Sequence, residues 1–128
     1  MRQNYSSRRK AILNKIVSTN VHPSVSWIYK KLKKDYPSLS LGTVYRNVNK
    51  FKDEGIVKYV ATVDGEEHID GNTKPHAHIV CEKCKSIVDI SDFELQPLID
   101  AMKSRGFCVN GVGLTFYGVC PKCCQKDR

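Results

Sequence analysis

A nine-residue stretch near the middle of the chain concentrates side chains that bind metals. It runs from His76 to Cys84 and contains two histidines one residue apart, followed at once by a Cys-x-x-Cys pair. A second such pair, Cys120 and Cys123, lies near the C-terminus. Two pairs of thiolates at this spacing are typical of a structural zinc site, in which four sulfur ligands surround the ion tetrahedrally. We therefore predict a structural Zn²⁺ bound by Cys81, Cys84, Cys120 and Cys123.

Other uses of the cysteines remain open from the residues alone. A redox-active Cys-x-x-Cys pair needs a helix N-terminus or similar context that lowers the thiol pKa, and we expect neither pair to have it. Cys124 adjoins the second pair and can replace Cys123 as a ligand. Cys108 falls on a predicted strand, where a lone cysteine is usually a small buried hydrophobe.

The histidines predict a second metal site of harder character. His76 and His78 can face the same side of an extended segment, and Asp70 and Asp89 flank them in the sequence. With His22, at the turn before a predicted helix, they offer three imidazoles and two carboxylates, a set suited to Fe(II) or Mn(II), although zinc competes by raw affinity. His22 also fits a plain structural role at a helix start, so spacing alone leaves its ligation open.

Charge is divided unevenly along the chain. Residues 1–60 carry 13 Lys or Arg against 3 Asp or Glu, whereas residues 61–128 carry 8 against 10. A strongly basic half is typical of nucleic-acid binding, although it is equally compatible with a solvated surface. No apolar run reaches the roughly 20 residues of a membrane span, and the N-terminus lacks a signal-peptide core, so we expect a cytoplasmic protein without a membrane partner.

The basic half predicts three helices. Ser6 or Ser7 is expected to cap the first, whose helically spaced apolar residues are Ala11, Ile12, Ile16 and Val17. Ser24 is expected to cap the second, which ends before Pro37 and has Val25, Ile28 and Leu32 on one face. Ser40 is expected to cap the third, which ends at Gly55 and buries Leu41, Val44, Val48 and Phe51.

The second and third helices, joined by a tight connection, make a helix-turn-helix candidate. After them, Asp64-Gly65 is flanked by residues 57–63 and 66–69, which we expect to be strands, and it favours a two-residue hairpin turn. Three helices and a hairpin are typical of a winged helix, with the third helix in the recognition position. Its exposed face carries the side chains that can contact bases or phosphates: Thr43, Tyr45, Arg46, Asn49 and Lys50. The alternative is an ordinary amphipathic helix with a solvated face.

The C-terminal half predicts a small mixed domain after a hinge at residues 71–75. We expect strands at 78–81 and 86–90, a helix from about Asp92 to Ser104 that Gly106 ends, and a strand from Phe107 to Gly118. Leu95, Leu98, Ile99 and Met102 form the apolar face of that helix. One helix covers only one side of such a sheet, so a dimer is the economical way to bury the rest. The fold class is therefore α+β: a winged helix in residues 1–70 and a small α/β dimerisation and metal-binding domain in residues 76–128.

Four ordered motifs are similar to those of the ferric uptake regulator family. They are His-Pro-Ser-x-x-x-Ile-Tyr from His22, Leu-Gly-Thr-Val-Tyr-Arg-Asn-Val from Leu41, His-x-His-x-x-Cys-x-x-Cys from His76, and Tyr-Gly-Val-Cys-x-x-Cys from Tyr117. The resemblance covers nearly the whole chain. It implies a homodimeric, metal-dependent bacterial repressor that binds double-stranded DNA at a palindromic operator, and it supports the same four cysteines as zinc ligands.

Within the family, the details look most like the peroxide-sensing branch, PerR. The resemblance places that branch's regulatory Fe(II) or Mn(II) ligands on His22, Asp70, His76, His78 and Asp89, with Asp instead of Glu at position 89 favouring the branch. Iron-sensing members commonly show His-His-Asp-His where this chain has residues 75–78, and Val112 stands where their distant histidine is expected. His68 occupies a position where Arg is frequent, and its role stays open.

The resemblance also implies a mechanism. Peroxide reacts at bound Fe(II), the oxidant modifies the imidazole of His22 or His76, and the weakened metal site releases DNA, whereas Mn(II) supports repression without this chemistry. A sensor of iron or manganese supply is the near alternative. An enzyme with a catalytic metal lacks an evident substrate cradle in this sequence, and a zinc-stapled RNA-binding module would bind without regard to duplex sequence.

Overall fold

The computed structural model describes residues 5–19, 21–91 and 94–126. By backbone contacts the chain divides into two compact units, Met1–Thr73 and Lys74–Arg128. The first contains α1 (Tyr5–Val17), α2 (Val25–Leu32), α3 (Leu41–Asp53), β1 (Lys58–Val63) and β2 (Glu66–Asp70). The second contains β3 (Ala77–Cys81), β4 (Ile87–Ile90), α4 (Gln96–Lys103), β5 (Leu114–Gly118) and α5 (Pro121–Lys126).

The first unit is a winged helix, as predicted. The Oγ atoms of Ser24 and Ser40 accept hydrogen bonds from the backbone N–H groups of Trp27 and Thr43, so both serines cap their helices. The three helices and the hairpin share one apolar core, composed of Ile12, Ile16, Ile28, Leu32, Leu39, Val44, Val48, Phe51, Val57 and Ile69. This core fixes α3 against α2 and against the hairpin.

The hairpin is the wing, and its turn has the predicted residues. Asp64 and Gly65 both have positive φ, 52° and 80°, as a type I′ turn requires. β1 and β2 pair antiparallel, with a register shift between Tyr59 and Ala61 that marks a β-bulge.

Some details of the helices differ from the prediction. α1 already includes Ser6 and Ser7, so neither serine caps it. Val17 and Leu41 are at least half exposed instead of buried, whereas Ile12 and Ile16 of α1 and Val44, Val48 and Phe51 of α3 are buried in the core. Leu41 lies in the first turn of α3, beyond the edge of the core.

The second unit is a three-stranded sheet with strand order β4-β3-β5. β3 pairs antiparallel with β4 and parallel with β5, and α4 lies on the connection that returns the chain to a parallel strand. The central strand β3 buries Ala77, His78, Val80 and Cys81. Apolar side chains on the edge strands and on α4, including Val88, Phe116 and Met102, remain exposed.

Two predictions for this unit are wrong in extent. The helix begins at Gln96 after Leu95, not near Asp92, which lies outside the described residues. Pro97 explains the late start, because proline is tolerated in the first turn of a helix but breaks its interior. The last strand begins at Leu114, and the chain before it, which contains Cys108, is exposed and irregular. Gly106 ends α4 with φ 93°, as predicted.

Among the described residues, none of the helices combines the length and the apolar character that a membrane crossing requires.

Candidate metal centres and nucleic-acid interface

Four cysteines come together at one end of the three-stranded sheet. Cys81 and Cys84 lie at the end of β3 and in the tight turn to β4, whereas Cys120 and Cys123 lie at the start of α5. Their Sγ atoms all fall within 4.8 Å of one another, and those of Cys84 and Cys120 are 3.9 Å apart. A tetrahedral zinc with Zn–S bonds of about 2.3 Å needs sulfur atoms separated by about 3.8 Å. The four thiols therefore fit a zinc ion closely.

Backbone N–H groups point at the sulfur atoms of this cluster. Cys120 and Cys84 donate from their backbone nitrogens to Cys81 Sγ, at 3.3 and 3.4 Å, and lower the pKa of the Cys81 thiol to about 6. The pKa of Cys84 is also lowered, mainly by the hydroxyl of Ser86. The pKa of Cys123 is raised to about 12, first through its contact with the sulfur of Cys120. Crowded thiols of this kind ionise together only when a cation offsets their repulsion.

The remaining cysteines lie outside the cluster. Cys124 is exposed on α5, so in this structure Cys123 and not Cys124 completes the four-thiol set. Cys108 is exposed, which contradicts the prediction of a buried position. One further expectation is wrong: α5 begins directly after Cys120, so the second pair does lie at the start of a short helix.

Two histidines and an aspartate meet across the β3–β4 pair. His78 and Asp89 are directly opposite in the register, and the Nε2 atoms of His76 and His78 lie 3.1 and 3.0 Å from Asp89 Oδ1. Two ligands at right angles around a metal with bonds of about 2.1 Å are separated by about 3.0 Å. We call these three residues the sheet half-site.

The hydrogen bonds of His76 fix which ring nitrogen faces the aspartate. Its Nδ1 lies 2.7 Å from the carbonyl oxygen of Lys74, which can only accept, so Nδ1 carries the proton. In the neutral ring Nε2 then presents a lone pair to the carboxylate of Asp89. Either a proton or a cation must lie between these two acceptors. A histidine whose Nδ1 donates to a carbonyl while the Nε2 lone pair faces a carboxylate is typical of a metal ligand.

His22 and Asp70 meet within the winged-helix unit. His22 Nε2 lies 3.5 Å from Asp70 Oδ2, and the other carboxylate oxygen, Oδ1, accepts a hydrogen bond from the backbone N–H of Asn72. The imidazole is buried, and the carboxylate is mostly covered. We call this pair the wing half-site. It offers the same donor types as the sheet half-site: imidazole nitrogen and carboxylate oxygen.

The predicted contact face of α3 is accessible. Tyr45, Arg46 and Lys50 are exposed, and Thr43 and Asn49 are partly exposed. The Arg46 guanidinium extends back along the helix, where Nη2 donates to Thr43 Oγ1 at 3.3 Å and Nη1 passes over Gly42. A side chain at position 42 would meet that guanidinium, so the glycine leaves room for it.

Leu41 was assigned to the core, but it is exposed and lies one helical turn from Tyr45. Both line a cavity of about 240 Å³ between α2, α3 and β2. Leu41 and Tyr45 together present an apolar surface beside Arg46, of the kind that packs on a thymine methyl group. The clue in the sequence was the position of Leu41 directly after the cap, in a first turn where the helix has not yet reached the core.

Known proteins resemble the chain over most of its length. The model of the ferric uptake regulator family matches residues 2–117. The sequence is 38% identical to the peroxide-responsive repressor PerR of Staphylococcus aureus over 120 residues, which are 93% of this chain and 81% of that protein. The structure of the Campylobacter jejuni peroxide stress regulator aligns with TM-score 0.78 and 31% identity, covering 93% of this chain and 90% of that chain. The Helicobacter pylori ferric uptake regulator Fur has the same fold, with TM-score 0.77 and 20% identity over 94% of this chain and 81% of that chain.

Proposed function

Because the chain belongs to the ferric uptake regulator family, we propose that it is a metal-dependent, DNA-binding transcriptional repressor that senses peroxide. Peroxide is favoured as the signal because the sequence is 38% identical to a peroxide-responsive repressor across 93% of the chain. The proposed place of action is the cytoplasm, where the target DNA lies and where thiols stay reduced. Each protein is modified once by the signal, so it acts as a sensor and not as an enzyme.

DNA binding is assigned to the winged helix. α3 enters the major groove, where Arg46 makes a bidentate contact to a base edge, Tyr45 packs on a base, and Lys50 neutralises a phosphate. The proposal rests on the exposure of these side chains and on the basic charge of residues 1–60. A homodimer places two such helices on a palindromic operator. The exposed apolar side chains of β4, β5 and α4 supply a surface for that dimer.

Zinc is assigned to Cys81, Cys84, Cys120 and Cys123, where it ties the C-terminal segment to the β3–β4 turn. The regulatory metal, Fe(II) or Mn(II), is assigned to both half-sites together: His22 and Asp70 with His76, His78 and Asp89. The support is chemical, because each half-site presents nitrogen and oxygen donors that suit these ions better than thiolates do.

The identity of the regulatory ion, iron or manganese, decides whether the protein responds to peroxide. If bound by these residues, Fe(II) would activate peroxide toward oxidation of a neighbouring ligand, chemistry that Mn(II) would not supply. The chain then supplies the oxidised group, an imidazole of His22 or His76: one peroxide oxygen is added to a ring carbon, and the other leaves as water. The modified ring is a weaker ligand, so the metal-bound arrangement that favours DNA binding is lost.

The test compares protein that contains zinc and either Fe(II) or Mn(II). After peroxide treatment, peptide mass spectrometry locates added oxygen on each histidine. We expect oxygen on His22 or His76 in the iron sample alone. His68 is the internal control, because it is more exposed than either ligand and is outside the proposed set. Oxygen on His68 to the same extent would indicate unspecific damage. Unmodified His22 and His76 in both samples would leave regulation by iron or manganese supply as the better function.

A further inference from the structure

The segment that carries His22 forms part of the wing. Ser24 makes an isolated antiparallel bridge with His68 of β2, and the backbone N–H of Ile69 donates to the carbonyl of Pro23 at 3.0 Å. β1 occupies the other edge of β2. The residues just before α2 therefore extend the wing as a short third strand. Pro23 has no backbone N–H, so this strand has fewer backbone hydrogen bonds than an ordinary pair.

The side chain of His68 supplies a hydrogen bond that the backbone does not. Its Nδ1 lies 2.6 Å from the carbonyl oxygen of His22, 46 positions away in the sequence. Since a carbonyl can only accept, Nδ1 is the donor and carries the proton. This hydrogen bond is made to the carbonyl of His22 itself. His22 is one residue before Pro23, whose carbonyl accepts the backbone hydrogen bond from β2.

β2 holds His22 at two points. Side chains two residues apart in a strand lie on the same face, so His68 and Asp70 extend from β2 in the same direction. His68 binds the backbone carbonyl of His22, whereas Asp70 faces its imidazole, with Oδ2 3.5 Å from Nε2. Together the two contacts set both the position of the His22 backbone and the direction of its ring.

We propose that His68 is a positioning residue for the regulatory metal: by fixing the backbone of His22 it orients that imidazole beside Asp70, and it ties this ligand directly to the wing strand β2. The inference rests on the proposed function, because it takes His22 as a ligand. It gives the wing strand β2 a direct hydrogen bond to the residue whose imidazole oxidation is proposed to modify. His68 contacts no base and binds no metal in this role.

The test measures Mn(II) affinity of the zinc-containing protein from the electron paramagnetic resonance signal of free Mn(II). Partners that orient metal ligands typically contribute about 10- to 100-fold in affinity. His68 acts through a backbone atom, so we expect His68→Leu to weaken Mn(II) binding by about tenfold, at the lower end of that range. His68→Asn places an amide N–H near the position of Nδ1 and should restore affinity to within about threefold of the wild type.

Thermal unfolding of the same variants separates positioning from general stability. Comparable unfolding midpoints for His68→Leu and His68→Asn, with different Mn(II) affinities, support the proposal. Equal affinities in the two variants overturn it, whether both are weakened or neither is. If His68→Leu does not fold, His68→Gln replaces it in the comparison. The glutamine amide lies one carbon farther from the backbone than that of asparagine, so His68→Gln should show the same weakening of Mn(II) binding as expected for His68→Leu.

His22→Ala separates a failure of this inference from a failure of the proposed function. Unchanged Mn(II) affinity in His22→Ala would show that His22 is not a ligand, and both proposals about this residue would fall. Weak binding in His22→Ala with normal binding in His68→Leu would keep the regulatory site and remove only the positioning role.

Discussion

Removal of zinc should unfold residues 74–128 while the winged helix stays folded. The reason lies in the different cores of the two units. The described part of the C-terminal unit buries few apolar side chains of any size, chiefly Val80 and Leu95. The winged helix instead has a continuous core that includes Phe51, Ile12 and Ile28.

The relative magnitudes favour a dominant role for zinc. Full burial of a Val or Leu side chain contributes about 1.5–3 kcal/mol, so Val80 and Leu95 together contribute about 3–6 kcal/mol. A structural zinc site contributes about 10–16 kcal/mol of apparent binding free energy near pH 7. Whole domains are stable by only about 5–15 kcal/mol. Loss of the ion therefore exceeds what the small apolar core can offset.

Amide hydrogen exchange with peptide mass spectrometry measures the effect separately in each unit. Zinc is removed with a chelator under reducing conditions, and its loss is verified by elemental analysis. We expect peptides from β3 and β5 to exchange at the rate of an unfolded chain, whereas those from α2 and α3 keep their protection. Light scattering should show loss of the dimer, because the apolar side chains proposed to form it lie on the unfolded unit.

A matched pair of variants controls for the chelator. Cys84→Ser removes a proposed ligand and should reproduce the zinc-free result, whereas Cys124→Ser changes an exposed thiol next to the cluster and should leave zinc content and protection unchanged. Persistent protection of β3 and β5 in verified zinc-free protein would refute the reasoning, since the fold would then not depend on the ion.

Substitutions at four further positions test the winged helix. Arg46→Ala should reduce discrimination between a duplex selected from a random pool and a scrambled duplex by about 1–3 kcal/mol, whereas Lys50→Ala should weaken binding to both duplexes and lower the dependence of log affinity on log salt concentration by about one. Fluorescence anisotropy at several salt concentrations measures both effects. If Arg46→Ala weakened binding equally on the two duplexes, Arg46 would contact phosphate and not a base. Asn47 is buried, its Nδ2 donates to the carbonyl of Thr43 at 2.8 Å, and its Oδ1 has no partner among the described residues. Asn47→Leu should leave the free energy of unfolding in urea unchanged or raise it by up to about 2 kcal/mol, because an unpaired buried oxygen is removed. Asn47→Asp should lower the free energy of unfolding. A marked decrease in the free energy of unfolding of the Asn47→Leu protein would contradict this account. Gly65→Ala should destabilise the wing by about 1–2 kcal/mol, because φ is 80° at this position. Gly65→Asn should destabilise it less. Equal urea unfolding midpoints for the wild-type and Gly65→Ala proteins would show that the turn changes its backbone conformation to accept alanine.

Local signals explain which parts of the fold could be predicted. Ser24, Ser40 and Asp64-Gly65 act on their own neighbours in the chain, so the two caps and the hairpin turn follow from the sequence. The start of α4 was placed too early, although Pro97 carries the correcting signal. Exposure of Leu41 depends on where the core ends in three dimensions, which no local pattern records.

The candidate sites follow the same rule. The spacing of the four cysteines identifies their cluster, because each pair lies within one turn of the chain. The facing of His78 and Asp89 depends on the register between β3 and β4, which the sequence does not specify. The contact of His68 was beyond prediction, since its partner is a backbone carbonyl and any residue at position 22 would offer the same atom.

The location of the ligands separates the roles proposed for the two metals. All four thiols lie in the C-terminal unit, so zinc acts on the stability of that unit and has no direct ligand in the winged helix. The proposed regulatory set takes His22 and Asp70 from the winged helix, so its metal has ligands through which it can influence DNA binding. That influence cannot exceed the difference in metal affinity between the two conformational states, and such couplings are typically about 1–3 kcal/mol. Oxidation of one ligand imidazole should therefore weaken DNA binding by roughly 5- to 150-fold. A change of this size releases a repressor only if the repressor concentration does not greatly exceed its dissociation constant for the operator.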